Sequence, residues 1–404
     1  MTDLEPPAET TPRLASPGPS LAADLRFLAF FLPQYHPISE NDEWWGAGFT
    51  DWVNVARARP VLRGHHQPHI PADLGFYDLR LQETRAAQAG LASAHGIDAF
   101  CYYHYWFEGR RLLERPFDAV LHTGEPDLPF CLCWANESWT RRWTGRDGEV
   151  LIRQGYSEHD DLNHIRWLAE AFSDSRYLKI RGRPVFLVYR AASLPDPVRT
   201  TESWRRELVR LGVGDPYLCL VHSFDADRLD PRALGFDAAV TFEPDWRGLY
   251  LQRNGSLARR GFRRILRPRS PYRTNTLRDY QSVVAHSLSQ PTTDYRLYPC
   301  VSPGFDNSPR RPNGGATVLL DSSPELYEAW LREVVRRFEP FGPEENLVFI
   351  NAWNEWAEGN HLEPCQRWGK AFLEAHARVV AEHRSALRQP NSIAANPATS
   401  SLGS

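Results

Sequence analysis

The sequence predicts a closed (β/α)8 barrel, a single α/β domain with long loops after its strands. Three observations predict it. Eight short apolar runs alternate with helical patterns, no glycine fingerprint follows the first run, and polar and aromatic residues crowd the ends of the runs rather than their starts.

The runs are, in order, Phe27–Phe31, Ile97–Tyr103, Pro129–Trp134, Pro184–Tyr189, Tyr217–Val221, Ala238–Phe242, Leu297–Val301 and Leu347–Ala352. Their hydrophobicity is continuous rather than alternating, as parallel strands buried on both faces require. Helical patterns fall between them. One covers Leu79–Ala94, ahead of Gly96; another covers Pro324–Phe338, where Ser322 or Ser323 can cap an N-terminus that accepts Pro in its first turn. Strands alternating with helices leave a closed barrel or a doubly wound sheet. No G-x-G-x-x-G follows the first run and no P-loop occurs anywhere, so the barrel is the better reading. Residues 25–386 are expected to form it, and the Pro-, Ser-, Thr- and Ala-rich ends, 1–24 and 387–404, read as disordered tails.

Composition narrows the function class. With 42% hydrophobic and 24% charged residues in 404, the chain can bury a sizeable core, and its formal net charge of -3 offers no basic field for nucleic acid. Met1-Thr2-Asp3-Leu4-Glu5-Pro6-Pro7 has no basic segment leading an apolar stretch, so no signal peptide is expected, and no apolar run is long enough for a membrane span. The six cysteines are too few for a disulfide scaffold, and Cys101, Cys131, Cys133, Cys219 and Cys300 lie in strand-like runs, as buried thiols do. A cytoplasmic protein is expected.

In a barrel, active-site groups collect just past the carboxyl ends of the strands. Those positions hold Gln34, Tyr35 and His36; Tyr103, His104, Tyr105 and Trp106; Trp134, Asn136 and Glu137; Tyr189; His222; Glu243; Asp306; and Asn354, Glu355 and Trp356. Glu355 and Glu358 form a carboxylate pair. Reaction at an anomeric carbon passes through an oxocarbenium-like state and needs one protonated carboxyl and one ionised carboxylate. A spacing of three in a helical turn puts both on one face, and their repulsion tends to keep one protonated. The first turn of a helix would also favour negative charge, but that leaves the flanking Trp353 and Trp356 unexplained.

Aromatics make up 12% of the chain and gather near the expected mouth: Trp44, Trp45, Phe49, Trp52, Tyr103, Tyr105, Trp106, Trp134, Trp139, Trp143 and Trp246. Their faces suit the flat C–H faces of sugar rings, although aromatics also fill cores. Glu355 and Glu358 are therefore the expected catalytic pair. Substrate contacts are expected from Gln34, Tyr35, His36, Trp45, Tyr103, His104, Tyr105, Trp134, Asn136, Glu137, Tyr189, His222, Glu243, Asp306, Asn354 and Trp356. No cofactor is expected.

Phe30-Phe31-Leu32-Pro33-Gln34-Tyr35-His36-Pro37, Asn41-Asp42-Glu43-Trp44-Trp45-Gly46, Pro71-Ala72-Asp73-Leu74-Gly75-Phe76-Tyr77-Asp78, Phe100-Cys101-Tyr102-Tyr103-His104-Tyr105-Trp106 and Asn351-Ala352-Trp353-Asn354-Glu355-Trp356-Ala357-Glu358-Gly359 together resemble the WbsX-type glycosyltransferase family. That family is grouped with glycoside hydrolase family 99, the endo-α-mannosidase-like barrels. The resemblance implies a Glu-Trp-x-Glu motif at Glu355 to Glu358. Glu355 would assist the substrate 2-hydroxyl as it attacks its own anomeric carbon to give a 1,2-anhydro sugar, and Glu358 would serve as general acid and then base. Ala357 stands where the hydrolases commonly carry His, which sets the leaving-group or subsite contacts apart. The resemblance also implies a glycan or glycolipid substrate and a role in bacterial surface polysaccharide, O-antigen or capsule, metabolism.

Two other classes remain open. A nucleotide-sugar glycosyltransferase of lipopolysaccharide biosynthesis would use a metal-holding D-x-D, a form shown by Asp225-Ala226-Asp227. A catalytically silent glycan-binding module would keep the aromatics without needing the glutamates. Separately, the arginine-rich stretch from Arg259 to Arg269 is a candidate contact for a phosphate, a lipid diphosphate or an anionic membrane face.

Overall fold

The computed structural model describes residues 24–141, 146–251 and 274–388. The arginine-rich stretch Arg259–Arg269, Trp143 and all but the inner edges of the two tails lie outside the described residues.

Each apolar run becomes a barrel strand: β1 Arg26–Phe31, β2 Ala99–Phe107, β3 Phe130–Trp134, β4 Arg183–Val188, β5 Tyr217–His222, β6 Ala238–Thr241, β7 at Leu297–Tyr298 and Cys300–Val301, and β8 Leu347–Ile350. They pair in parallel from β1 through β6, and β8 pairs back onto β1. Closure depends on β7, which Pro299 divides. Its first half pairs with β6 and its second with β8, so the two halves counted separately make nine strands in the ring.

Pro299 has no N–H to give to a ladder. Its carbonyl accepts from Phe349 N at 2.8 Å, and Thr241 Oγ1 fills the gap by accepting from Cys300 N at 2.7 Å and donating to Tyr298 O at 3.4 Å. The result is a TIM-barrel-like α/β fold in one domain.

The helices follow from residue spacing. Gln82–Ala94 buries Arg85, Gln88, Ala89 and Ala92, one stripe of a 3.6-residue period. Pro324–Arg337 buries Tyr327, Trp330, Leu331 and Val334 on the same pattern, with Ser323 accepting from Leu326 N and Arg336 and Arg337 near its C-terminus. Between β5 and β6 the barrel carries the 3-10 turn Pro231–Leu234 in place of an α-helix.

Strand alternation decides what faces the barrel axis. In β1, Phe30 packs on Tyr103, Phe242 and Phe349 with ring centroids 5.5 to 5.6 Å apart. Its neighbour Phe31 meets Phe100 and Tyr102 instead. The strand β2 runs on to Phe107 rather than stopping at Tyr103, because Tyr105–Phe107 pairs with the returning strand Arg110–Leu112. All six cysteines are buried and unbridged.

Phe30 supports three rings beneath the mouth of the barrel. Phe30→Ala is therefore expected to destabilise the fold by about 3–5 kcal/mol, read as a lower midpoint of chemical unfolding, and an unchanged midpoint would refute its place in the core.

Candidate active site

Past β8 the chain enters a small hairpin. Asn354–Glu355 pairs antiparallel with Asn360–His361, and the 3-10 turn Trp356–Glu358 joins them. Residues three apart eclipse one another in such a turn, so Glu355 and Glu358 share one side. The carboxylates therefore stand on a 3-10 turn within a hairpin, not on the first turn of a helix. Gly359 ends the turn at φ 55°, and a Cβ there would lie 3.0 Å from that of Asp306, so the position has room only for glycine.

Three residues expected to touch substrate instead hold this hairpin. Asn354 Oδ1 accepts from Leu32 N at 2.7 Å while its Nδ2 donates to Leu32 O at 3.0 Å, a side chain completing the backbone of the first loop. Tyr35 Oη donates to Asn354 O at 2.7 Å and accepts from Trp356 N at 3.1 Å. Trp356 stacks on His361 at 3.7 Å and donates to Glu363 at 2.6 Å.

Between the two glutamates stands Arg310, from the 3-10 turn after β7. Its Nη2 lies 3.0 Å from Glu355 Oε2 and its Nη1 lies 2.6 Å from Glu358 Oε1, while Nη2 also reaches Asp51 Oδ2 at 2.5 Å. The Glu355 side chain is 9% exposed and that of Glu358 25%, so the second faces the opening more. Burial pushes both carboxyls above the usual range, and Arg310 pulls both back. Their repulsion makes the proton on the pair a shared property of the two groups. Burial also raises the phenols of Tyr103 and Tyr105, helped by the charge of Glu355.

A cleft of about 440 Å³ opens over this group, within the size range of small-ligand sites. Of the expected residues, it is lined by Gln34, Trp45, Tyr103, Tyr105, Glu137, Tyr189, Glu355 and Glu358, with Trp139 and Trp246 among the further aromatics. Glu137 is held by Arg190 at 2.6 Å. Gln34 Nε2 and Asn351 Oδ1 are buried beside the cleft with no hydrogen-bond partner among the described residues.

The remaining expected contacts turn away. His104 stacks on Trp167 at 4.7 Å and meets His164 Nε2 at 2.9 Å. Trp134 packs on the same His164 and donates to Trp106 O. Both occupy the outward phase of their strands, whereas Tyr103 and Tyr105 occupy the inward one. His36 is buried against Pro33 O, and its burial lowers the imidazole to about 4. His222 meets Leu229 O and is lowered to about 4 for the same reason.

Asn136 ties the loop after β3 to the loop after β4 by accepting from Arg190 N and donating to Arg190 O. Glu243 accepts from Ser287 at 2.6 Å and from Asp245 N at 2.8 Å, and burial pushes it up to about 8. Asp306 accepts from Gln67, Ser308 N and His65, bracing the loop wall. Trp52 and Trp106 are buried as packing, while Trp44 and Phe49 line a neighbouring cavity.

The two aspartates of the D-x-D face different surroundings. Asp227 is fully buried against Arg190 and Ser223, whereas Asp225 is 70% exposed and turned toward Arg228 and Arg247. Among the described residues no group of three His, Cys, Asp or Glu is placed to hold a metal ion.

Arg310, Asp51 and Asn351 were not anticipated from sequence. Asn351 sits inside an apolar run, and Asp51 and Arg310 lie far apart in loops of ordinary composition, so only their convergence singles them out.

Comparison with known proteins gives two kinds of likeness. Residues 27–376 match the family model described as Glycosyltransferase WbsX. An uncharacterized protein WxcX of Xanthomonas campestris pv. campestris is 46% identical over 354 residues, 87% of this chain and 49% of that protein. The chain thus spans about half the length of the curated relatives it matches. Among solved structures, an endo-alpha-mannosidase of family GH99 from Bacteroides thetaiotaomicron aligns with a TM-score of 0.55 at 14% identity, covering 89% of this chain and 98% of that one. A glycoside hydrolase-like protein aligns with a TM-score of 0.54 at 16% identity, covering 91% and 97%. These structural likenesses establish a shared fold.

Removing Arg310 leaves buried carboxylates without their counter-ion, so Arg310→Met is expected to cost about 3–5 kcal/mol of stability near neutral pH. The folded pKa values of Glu355 and Glu358 lie above their ordinary 4.5, so the stability these groups supply is complete below that value and is lost as pH rises through the folded values. Arg310→Met raises the folded values further and makes that loss larger. Urea midpoints measured at acid and neutral pH should show a greater deficit for the variant at neutral pH, and equal deficits would exclude the counter-ion role.

Proposed function

Because the chain belongs to the WbsX glycosyltransferase family, a family of carbohydrate-active enzymes, we propose that it acts at an anomeric centre with Glu355 and Glu358 as its catalytic pair. The observation that carries this reading is the pair itself: two carboxylates on one turn, pushed up by burial, bound to one guanidinium and facing an aromatic-lined cleft. The glycoside hydrolase fold shared with the GH99 endo-alpha-mannosidase supports it.

The roles follow the resemblance to the family 99 hydrolases, whose Glu-Trp-x-Glu motif falls on Glu355 to Glu358: Glu355 takes the proton of the sugar 2-hydroxyl as that oxygen attacks C1. The C1–O bond to the leaving group breaks at the same time, and Glu358 gives its proton to the departing oxygen. A 1,2-anhydro sugar results. Glu358, on the open side, then takes a proton from an incoming hydroxyl, which attacks C1 and opens the three-membered ring while Glu355 returns its proton to O2. With one proton on the pair, Arg310 stabilises whichever carboxylate is ionised and so serves both half-reactions. Gln34 and Asn351 offer unpaired polar atoms to sugar hydroxyls, and Trp45, Tyr103 and Tyr105 offer ring faces.

The incoming hydroxyl distinguishes a hydrolase from a transferase. The family description, a glycosyltransferase, favours a sugar acceptor over water. A place in bacterial O-antigen or capsule metabolism, on the cytoplasmic side, belongs to this proposal. No described helix is long and apolar enough to cross a membrane. A non-catalytic glycan-binding role leaves the buried carboxylate pair without a purpose.

Glu355→Gln and Glu358→Gln are each expected to lower turnover by about 10²–10⁴-fold while glycan affinity is kept, measured with a panel of glycosides and by calorimetry. Turnover in the wild type should fall on the acid side as the base is protonated and on the alkaline side as the acid ionises. Unchanged turnover in both variants would remove the assignment.

A further inference from the structure

Asp51 stands immediately ahead of the short helix Trp52–Arg57, where an aspartate side chain ordinarily accepts from the first backbone N–H groups. It makes no such cap. The carboxylate is fully buried and turns to Arg310 instead, with Oδ2 at 2.5 Å from Nη2 and Oδ1 at 3.5 Å from Nε, while Asn54 Nδ2 donates to Oδ1 at 2.9 Å. A helix cap is thus given up for a buried ion pair. Stability alone does not favour that exchange, because burying two charges costs about as much as pairing them returns.

Asp51 takes the edge of the guanidinium formed by Nε and Nη2. Glu355 then receives one N–H from Nη2, at 3.0 Å, and Glu358 one from Nη1, at 2.6 Å. Left to the two glutamates, a guanidinium makes its strongest pair by giving two parallel N–H bonds to one carboxylate. That carboxylate would be held ionised, and the other would lose its counter-ion. The proposed reaction needs the negative charge to pass from Glu355 to Glu358 and back, so the cation has to stay between them.

We infer that Asp51 is a positioning residue for the carboxylate pair: it holds Arg310 by one edge so that a single N–H reaches each glutamate, and its charge keeps a proton on the pair. The inference deepens the proposed function and rests on it for the roles of Glu355 and Glu358. With one proton on the pair, Asp51, Glu355, Glu358 and Arg310 together carry one net negative charge. A neutral residue at position 51 removes that charge, and the pair then gives up its protons at lower pH. Of the other groups facing the pair, Arg311 acts on Glu358 from the turn after β7. The phenols of Tyr35, Tyr103, Tyr105 and Tyr189 face it from the loop after β1, from β2 and from the end of β4, and burial raises all four, so they stay neutral while the carboxyls titrate. The charge of Asp51 acts on both glutamates.

Asp51→Asn, which removes the charge at nearly constant size, tests this in the full chain. The proton on the pair is read by infrared difference titration of the carboxyl C=O band, assigned by its loss in Glu355→Gln and Glu358→Gln, and no substrate is needed. In Asp51→Asn that proton should leave about one pH unit or more below its wild-type position. With a glycoside that is turned over, both limbs of the pH profile of kcat/KM should move the same way, so that at a fixed pH beyond the alkaline limb the rate falls about tenfold. A merely structural role lowers the urea midpoint and leaves the titration and both limbs where they were, and that result overturns the inference. Asp51→Ser removes the same charge with a smaller side chain; if neither variant folds, Asp51 is a structural residue and the inference falls as well. Failure of the catalytic assignment is read separately, as unchanged turnover in Glu355→Gln and Glu358→Gln, while the infrared titration still decides whether Asp51 governs the pair.

Discussion

Arg310 is the constraint around which the mouth of this barrel is arranged. Glu355 and Glu358, buried beside Asp51, are driven toward the neutral form by desolvation and by neighbouring negative charge. The guanidinium touches all three, at 2.5 Å to Asp51, 3.0 Å to Glu355 and 2.6 Å to Glu358. It also ties three parts of the chain together: the loop after β1, the turn after β7 and the hairpin after β8. A single side chain thereby bears on both the charge state of the Glu355–Glu358 pair and the relative placement of the loops that carry it. That is a role for arginine, whose fork presents several donors in a fixed plane.

The hairpin that offers the glutamates is held from behind by a second buried layer. Glu363 accepts from Tyr77, Gln88 and Trp356, and although burial pushes its carboxyl up to about 7, these donors restrain the rise. Burial alone would also raise Asp306, but His65, Gln67 and Ser308 outweigh it and hold that carboxyl below the usual range. Asp306 N donates to Glu358 O at 2.5 Å, fixing the Trp356–Glu358 turn to the loop after β7. Several carboxylates at the strand ends are thus held in buried polar networks, which keep Glu355 and Glu358 in position.

The cleft over Glu355 and Glu358 is lined by aromatic rings and by charges of both signs, with Glu137, Glu355 and Glu358 beside Arg310 and Arg311. The solved structures of similar fold share the barrel at 14% to 16% identity, and the level of likeness that conserves a backbone leaves loop side chains free to differ.

The sequence by itself determined the barrel, because a strand buried on both faces must be apolar along its length, and eight such runs could be counted without knowing how they pair. It also determined the carboxylate pair, since both members lie within one short motif. Which neighbours join them was settled only in three dimensions. Consecutive residues at a strand end point alternately to the axis and to the helices, so Tyr103 and Tyr105 reach the cleft while His104 between them packs on Trp167. Asn354, Tyr35 and Trp356 look like ligand contacts in a motif and act as fasteners in the fold, because their polar atoms find protein partners hundreds of residues away or across a tight turn. Arg310 could not be read at all: its importance comes from meeting Asp51 and both glutamates, and that meeting exists only once the barrel has closed.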